Sequence, residues 1–264
     1  MRIASYQMDL VPGNPSENRK RVQEWVKEVC KEGNVDVLVL PEMWTTAYTL
    51  PMLEKIVKAD KGMTEPFLKN LAKTFNVNLV AGSFAIEEEG SMYNRSIIVN
   101  REGSIVHTYD KMHLVPMLDE HLYLKGGENT GRVFELDGKK MGVIICYDLR
   151  FPELIRSLAL QGAEVVFVVA EWPEARASHW EILQQARAIE DQVYIVSCNR
   201  VGTYDGVLFA GRSMVVNPWG EMVFKASQTE EETIRVTLDL KEVHRIRKEV
   251  PVFSSRVPKL YETF

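Results

Sequence analysis

The chain has 264 residues, 45% of them hydrophobic, and a formal net charge of -5. That apolar content supplies a sizeable core without disulfides, within the size range of one large α/β domain. Lysines and arginines are scattered, so there is no basic footprint for nucleic acid and no basic amphipathic helix for a membrane surface.

The opening MRIASYQMDLVPGNP lacks the charged start, apolar run and cleavage site of a signal peptide. Residues 2–7 read as a strand, and 18–31 as a helix with Val22, Val26, Val29 and Cys30 on one face. Residues 35–40 form a continuous apolar run ending in Pro41, the pattern of a strand buried on both faces. A helix over 66–75 and a strand over 78–86 follow, then a hairpin with arms 96–99 and 104–108.

The same order then recurs. It predicts a strand over 141–145, a helix over 152–160 with Pro152 in its first turn, and a strand over 165–169. A helix over 180–191, a strand over 193–197 and a hairpin of 213–216 with 222–224 complete the series. Apolar stretches such as 165–170 are strand-sized and too short to span a bilayer. RSIIVN at 95–100 resembles RSMVVN at 212–217, each followed by a Gly three residues on, and VDVLVLPE resembles EVVFVVAEWPE. Two related halves, about 1–112 and 138–240, each β-α-β-α-β-β-β, are therefore expected. Two mixed sheets packed face to face with helices outside would bury both sets of strands. Between the halves, residues 113–137 are aperiodic and carry Glu120 and LKGGENTG; a loop this long inside a compact domain is often functional. The tail, 241–264, starts as a short helix and continues as VPVFSSRVPKLYETF, whose apolar residues call for a packing partner, expected to be a second subunit.

Polar residues just past the carboxyl ends of buried strands are the first candidates for a site in such folds. Glu42, Lys111, Cys146 and Glu171 stand there. Cys146 lies between an apolar strand and the helix beginning near Pro152; such an elbow exposes a thiol to helix amides and is expected to lower its pKa. The competing reading is a buried structural cysteine. Cys30 reads as core, and Cys198, at a strand end, competes as nucleophile. Three cysteines without CxxC spacing argue against a disulfide framework or zinc site, so a reducing, cytoplasmic setting is expected. Of the five histidines, none follows a buried strand as Glu42 does, although His113 lies close to Lys111 and stays open as a base. Glu42, followed by Met43 and Trp44, would be desolvated and could act as general base, with Lys111 as its charge partner. The competing reading is a surface-loop carboxylate.

PEMW, YDKMHLV and ICYDLRFPE resemble the Glu, Lys and Cys motifs of the nitrilase (carbon–nitrogen hydrolase) superfamily. The likeness spans nearly the whole chain, and three signatures in the right order are specific in combination. MLDEHLYL, AEWPEARASHW, ARAIEDQVYIV, NPWGE and IRKEVPVF look most like the ω-amidase branch, including 2-oxoglutaramate amidases. The resemblance implies a four-layer α-β-β-α sandwich, a single carbon–nitrogen hydrolase domain over 1–264, at least a homodimer, and no metal or organic cofactor. It assigns Glu42 as general base, Cys146 as nucleophile, Lys111 as oxyanion stabiliser and Glu120 as a positioning carboxylate. The implied reaction converts the terminal amide of a small carboxylate-bearing substrate, such as 2-oxoglutaramate, to acid and ammonia through a thioester.

Tyr48, Tyr147, Arg150 and Trp172 are candidate substrate-pocket residues because they lie near the motifs. Arg150 could instead pair with Asp148, Trp172 could cap the core, and the Tyr48 hydroxyl could meet substrate or only water. The alternatives within the superfamily are a deaminated-glutathione amidase, a carbamoyl-amide hydrolase or a nitrilase. A non-catalytic interaction protein that kept the sandwich is the alternative outside it, and intact Glu42, Lys111, Glu120 and Cys146 argue against it.

Overall fold

In the computed structural model, which describes residues 1–261, the first apolar run becomes strand β1 (Arg2–Gln7). Helix α1 (Pro15–Glu32) opens on Asn14, whose side chain accepts the Glu17 N–H at 3.1 Å, with Pro15 in the first turn. There follow β2 (Val37–Val39), α2 (Leu53–Asp60), α3 (Thr64–Phe75), β3 (Asn78–Val80), β4 (Phe84–Glu88), β5 (Ser91–Val99) and β6 (Ile105–Asp110). Two short 3₁₀ turns, Pro116–Leu118 and Glu120–Leu122, interrupt the aperiodic segment.

The second series is β7 (Phe134–Leu136), β8 (Lys139–Ile145), α4 (Pro152–Leu160), β9 (Val165–Ala170), α5 (Ala177–Asp191) and β10 (Tyr194–Asn199). A small hairpin, β11 (Thr203–Tyr204) and β12 (Val207–Leu208), precedes β13 (Met214–Val216) and β14 (Met222–Lys225). Strand β15 (Glu232–Thr237) and helix α6 (Lys241–Glu249) follow. Residues 262–264 of the tail lie outside the described residues.

The strands form two large sheets. One has seven strands in the order β15-β1-β2-β3-β5-β4, with β6 also on β5; the other has six, β14-β13-β10-β9-β8-β7. Each is built around three parallel strands, β1–β2–β3 and β8–β9–β10, flanked by antiparallel partners. Burial explains the continuous apolar runs of β2, β9 and β10, which are covered on both faces. Ile3, Val37 and Val39 of the first sheet share one core cluster with Val143 and Phe167 of the second. Helices α1 and α3 bury Val22, Val26 and Leu68 against the outside of the first sheet, and α4 and α5 supply Ile155, Leu158 and Trp180 to the second. The layers are thus helix, sheet, sheet, helix. No helix among the described residues is long and apolar enough to cross a membrane.

The elements depart from the sequence pattern at several points. Helix α2, the β11–β12 hairpin and strands β7 and β15 are additional. Only Ile234 of β15 is buried, so this edge strand carries little hydrophobic signal. It leaves the second series and pairs antiparallel with β1 along all six residues, Arg2 opposite Thr237 through Gln7 opposite Glu232.

The strand expected over 78–86 is broken into β3 and β4, both still paired to β5. Gly82, at φ +59°, makes the break. A Cβ there would sit 2.0 Å from the Pro41 carbonyl oxygen, so only glycine allows the kink and the Pro41 loop to nest. Gly82→Ala should lower stability by about 2–4 kcal/mol, combining left-handed strain with overpacking. Urea unfolding checks this, and an unshifted midpoint would show that the loop moves aside freely.

Candidate active site

The kink at Gly82 builds the first part of the site. The Ser83 N–H donates to the Pro41 carbonyl (3.1 Å), and Ser83 in turn receives the Met43 N–H on its hydroxyl (3.1 Å) and the Trp44 N–H on its carbonyl (3.1 Å). Met43 is held at φ 44°, a left-handed value that this clamp sustains. Glu42, between Pro41 and Met43, is thereby fixed with no exposure to solvent.

A buried carboxylate needs donors, and Glu42 has several. Its Oε1 lies 3.0 Å from Lys111 Nζ, 2.9 Å from Asn94 Nδ2 and 2.6 Å from the Tyr48 hydroxyl. Its Oε2 accepts the Glu171 backbone N–H at 2.8 Å. Lys111 follows β6 and is equally buried; it also reaches Glu120 Oε1 (2.9 Å) and the Tyr48 oxygen (2.8 Å). The second oxygen of Glu120 accepts the Val115 N–H at 2.5 Å, which ties the aperiodic segment to the cluster. Burial alone pulls the Lys111 ammonium toward neutrality, but Glu42 and Glu120 together outweigh it, and its pKa rises above the ordinary lysine value. The ion stays charged.

Cys146 starts a 3₁₀ turn, Cys146–Arg150, directly after β8 and adopts φ 48°. Asp148 holds this elbow. One of its oxygens accepts the Ile145 N–H (3.1 Å) and the Tyr109 hydroxyl (2.7 Å); the other accepts the His113 N–H (3.0 Å) and meets His113 Nδ1 (2.8 Å). Tyr109 and His113 flank Lys111 by two residues on either side, so Asp148 locks the thiol's segment to the ammonium's segment. His113 is therefore no base for the sulfur: its ring serves Asp148 and stacks on Phe151, centroids 3.5 Å apart.

The expected lowering of the thiol pKa is overturned. Cys146 is buried, and burial followed by the Glu42 charge pushes its pKa well above the ordinary cysteine value, with Lys111 offsetting part of the rise. The elbow leaves Cys146 mostly buried, with only a small face on the cavity, so desolvation outweighs any benefit from nearby amides. The group waiting in the site is a neutral thiol beside a carboxylate.

A cavity of about 390 Å³ opens onto Cys146, and Tyr48, Tyr147, Arg150 and Trp172 all line it. The Tyr48 hydroxyl serves the charged cluster: it lies within hydrogen-bonding distance of Glu42, Glu120 and Lys111. Arg150 does not pair with Asp148; it lies over the rings of Trp172 (4.9 Å) and Tyr147 (5.6 Å) and contacts His179 Nδ1 (3.2 Å). Trp172 is buried and donates its indole N–H to the Arg176 carbonyl at 2.8 Å. Cys198 sits between the sheets with Sγ 3.2 Å from the Tyr6 carbonyl oxygen, away from this cavity. Glu171 is buried against Arg200 (3.0 Å), and burial, opposed by Arg200 and reinforced by Glu42, pushes its carboxyl up to about 8.

Sequence reasoning did not single out Asn94 or Arg176, and it named Asp148 only as a partner for Arg150. Asn94 is a buried amide within the strand β5, and Asp148 follows Cys146 by two residues. A polar residue on a buried strand face and an acid inside the elbow are the signals that would have found two of them.

Fold and site together define a class: a four-layer hydrolase sandwich whose small-molecule cavity reaches a thiol backed by a buried carboxylate and ammonium. Residues 2–248 match the carbon-nitrogen hydrolase family, and the chain belongs to that family. It is a hydrolase acting on non-peptide carbon–nitrogen bonds. The chain is 42% identical to the 2-oxoglutaramate amidase of Bacillus subtilis over 259 residues, 98% of each protein. It is 36% identical to the omega-amidase YafV of Escherichia coli K12 over 219 residues, 83% of each. The crystal structure of Saccharomyces cerevisiae Nit3, from branch 10 of the nitrilase superfamily, superposes with a TM-score of 0.89 at 28% identity, covering 97% of this chain and 96% of that one.

The raised thiol pKa has a direct readout. The difference in thiolate absorbance near 240 nm between the wild type and Cys146→Ser should stay flat from about pH 6 to about pH 8.5, where an unshielded cysteine is half ionised. A thiolate step within or below that range would contradict the desolvation argument.

Proposed function

We propose that this enzyme is an ω-amidase that hydrolyses the terminal amide of a small carboxylate-bearing substrate, such as 2-oxoglutaramate, to the acid and ammonia. The observation that carries the chemistry is the buried contact of Lys111 with both Glu42 and Glu120, packed behind Cys146, which itself lines the cavity. The amidase relatives support the substrate class.

In the first half-reaction, Glu42 takes the Cys146 proton as sulfur attacks the amide carbonyl carbon. The carbonyl oxygen becomes an oxyanion stabilised by Lys111 and the backbone N–H of Tyr147. As the oxyanion collapses, the C–N bond breaks and protonated Glu42 delivers its proton to departing ammonia. Water, deprotonated by Glu42, then attacks the thioester and restores the thiol. The cluster begins with two carboxylates and one ammonium. At the tetrahedral stage one negative charge has moved from Glu42 to the oxyanion while the total is unchanged, so no extra charge is buried. Glu120 and the Tyr48 hydroxyl hold Lys111 in place, and Tyr147, Arg150 and Trp172 form the walls that receive the rest of the substrate.

A homodimer, with the tail packed on its partner, fits the exposure of Val257 and Leu260. A reducing, cytoplasmic setting fits three unbridged cysteines.

Cys146→Ala should abolish ammonia release with the fold intact, while Cys198→Ala keeps most activity; equal losses would refute the assignment. Intact-protein mass spectrometry during turnover of a slow substrate should show an acyl adduct on Cys146. Across 2-oxoglutaramate, glutamine, deaminated glutathione, a carbamoyl β-amino acid and a nitrile, 2-oxoglutaramate should give the highest kcat/KM. A higher value for another of them would replace the ω-amidase reading with that activity.

A further inference from the structure

The cavity holds a second guanidinium that the chemistry above leaves unused. Arg176 lines the same wall as Arg150 and Trp172. Its backbone is pinned twice: its N–H donates to the Pro173 carbonyl (3.1 Å), and its own carbonyl receives the Trp172 indole N–H (2.8 Å). The loop is tied further to the neighbouring strand segment, where the Ala210 N–H donates to the Trp172 carbonyl (2.8 Å).

The guanidinium itself has no hydrogen-bond or carboxylate partner among the described residues. The acids nearest in sequence are already engaged. Glu174 pairs with Arg212, and Glu181 pairs with Arg212 (3.2 Å) and Lys225 (2.7 Å). Asp119 and Asp205 also line the cavity, yet neither forms a salt bridge with Arg176 or Arg150. Arg150 differs from Arg176 in one respect: it is wedged over two aromatic rings and bound to His179. A half-buried, partnerless guanidinium on a fixed backbone is a poor arrangement for stability and a good one for capturing an anion.

We propose that Arg176 is the anchor for the substrate's carboxylate, and that Arg150 is a positioning residue that holds the Tyr147–Trp172 wall. The inference rests on the ω-amidase reading and names the group that would select its substrate. Arg176 and Cys146 line the same cavity, so on this proposal one short molecule holds its carboxylate on the first and presents its amide to the second.

The test compares 2-oxoglutaramate with its methyl ester, which removes the charge and keeps the amide and oxo groups. Ammonia release gives kcat/KM for each, and their ratio measures carboxylate recognition. The wild type should favour the acid. Arg176→Gln should lower that ratio about 10- to 100-fold, mostly through KM, the range for losing one charge-assisted pair. Arg176→Lys, which keeps the charge and loses the fork, should recover part of it, and equal thermal midpoints separate this from misfolding. A ratio unchanged in Arg176→Gln overturns the anchor, as does a collapse seen in Arg150→Gln alone. A wild-type ratio near one overturns the carboxylate-substrate reading and the anchor together, whereas a wild-type preference that Arg176→Gln retains overturns the anchor only.

Discussion

A single buried ammonium organises this molecule's interior. Lys111 has three N–H donors, and Glu42, Glu120 and Tyr48 occupy three positions around it. Removing the lysine would leave two carboxylates with no solvent exposure facing each other, each costing several kcal/mol to keep ionised. Removing either acid would weaken the case for a charged lysine at the same depth. The three groups come from the ends of β2 and β6 and from the segment beyond, so the charge balance also decides how those chain segments pack. The same constraint explains why a neutral thiol is tolerated nearby: a thiolate would add a second net negative charge to the pocket.

Much of the architecture could be read from the chain because the parallel strands are buried on both faces and announce themselves as apolar runs. Glu42 and Cys146 stood out for that reason, each coming just after such a run, whereas Lys111 follows the half-exposed antiparallel strand β6 and stood out by its place at a strand end. Glu120 was visible only through family resemblance, since it lies in a segment with no period and gains its meaning from a lysine folded back onto it. The thiol's acidity was misjudged because the elbow is a local feature and desolvation is not. Burial of Cys146 is decided by what two sheets and a distant loop place over it. Strands β7 and β15 escaped notice because they are short or mostly unburied. Gly82 escaped because a three-residue interruption inside an apolar stretch looks like a continuous strand until the Pro41 loop is seen threaded against it.

Asp148 shows how the two series are coupled at the site. Its oxygens bind one backbone amide from its own elbow and three groups from the segment carrying Lys111. The nucleophile and the ammonium are therefore set relative to each other by one carboxylate rather than by the sheets alone. In the proposed reading, reactivity belongs to Cys146 and the cluster behind it, and recognition to the aromatic and guanidinium wall built on the segment after β9 and on the elbow.

The antiparallel partnership of β1 with β15 bears on how the protein is made. Strand β1 bonds along one edge to β2, but its other edge stays open until residues 232–237 have been synthesised. Closing that edge joins positions more than 220 residues apart, a slow step in which unpaired amides invite foreign strands. Chains that stop short of Glu232 would therefore leave one edge of β1 permanently unpaired and open to foreign strands.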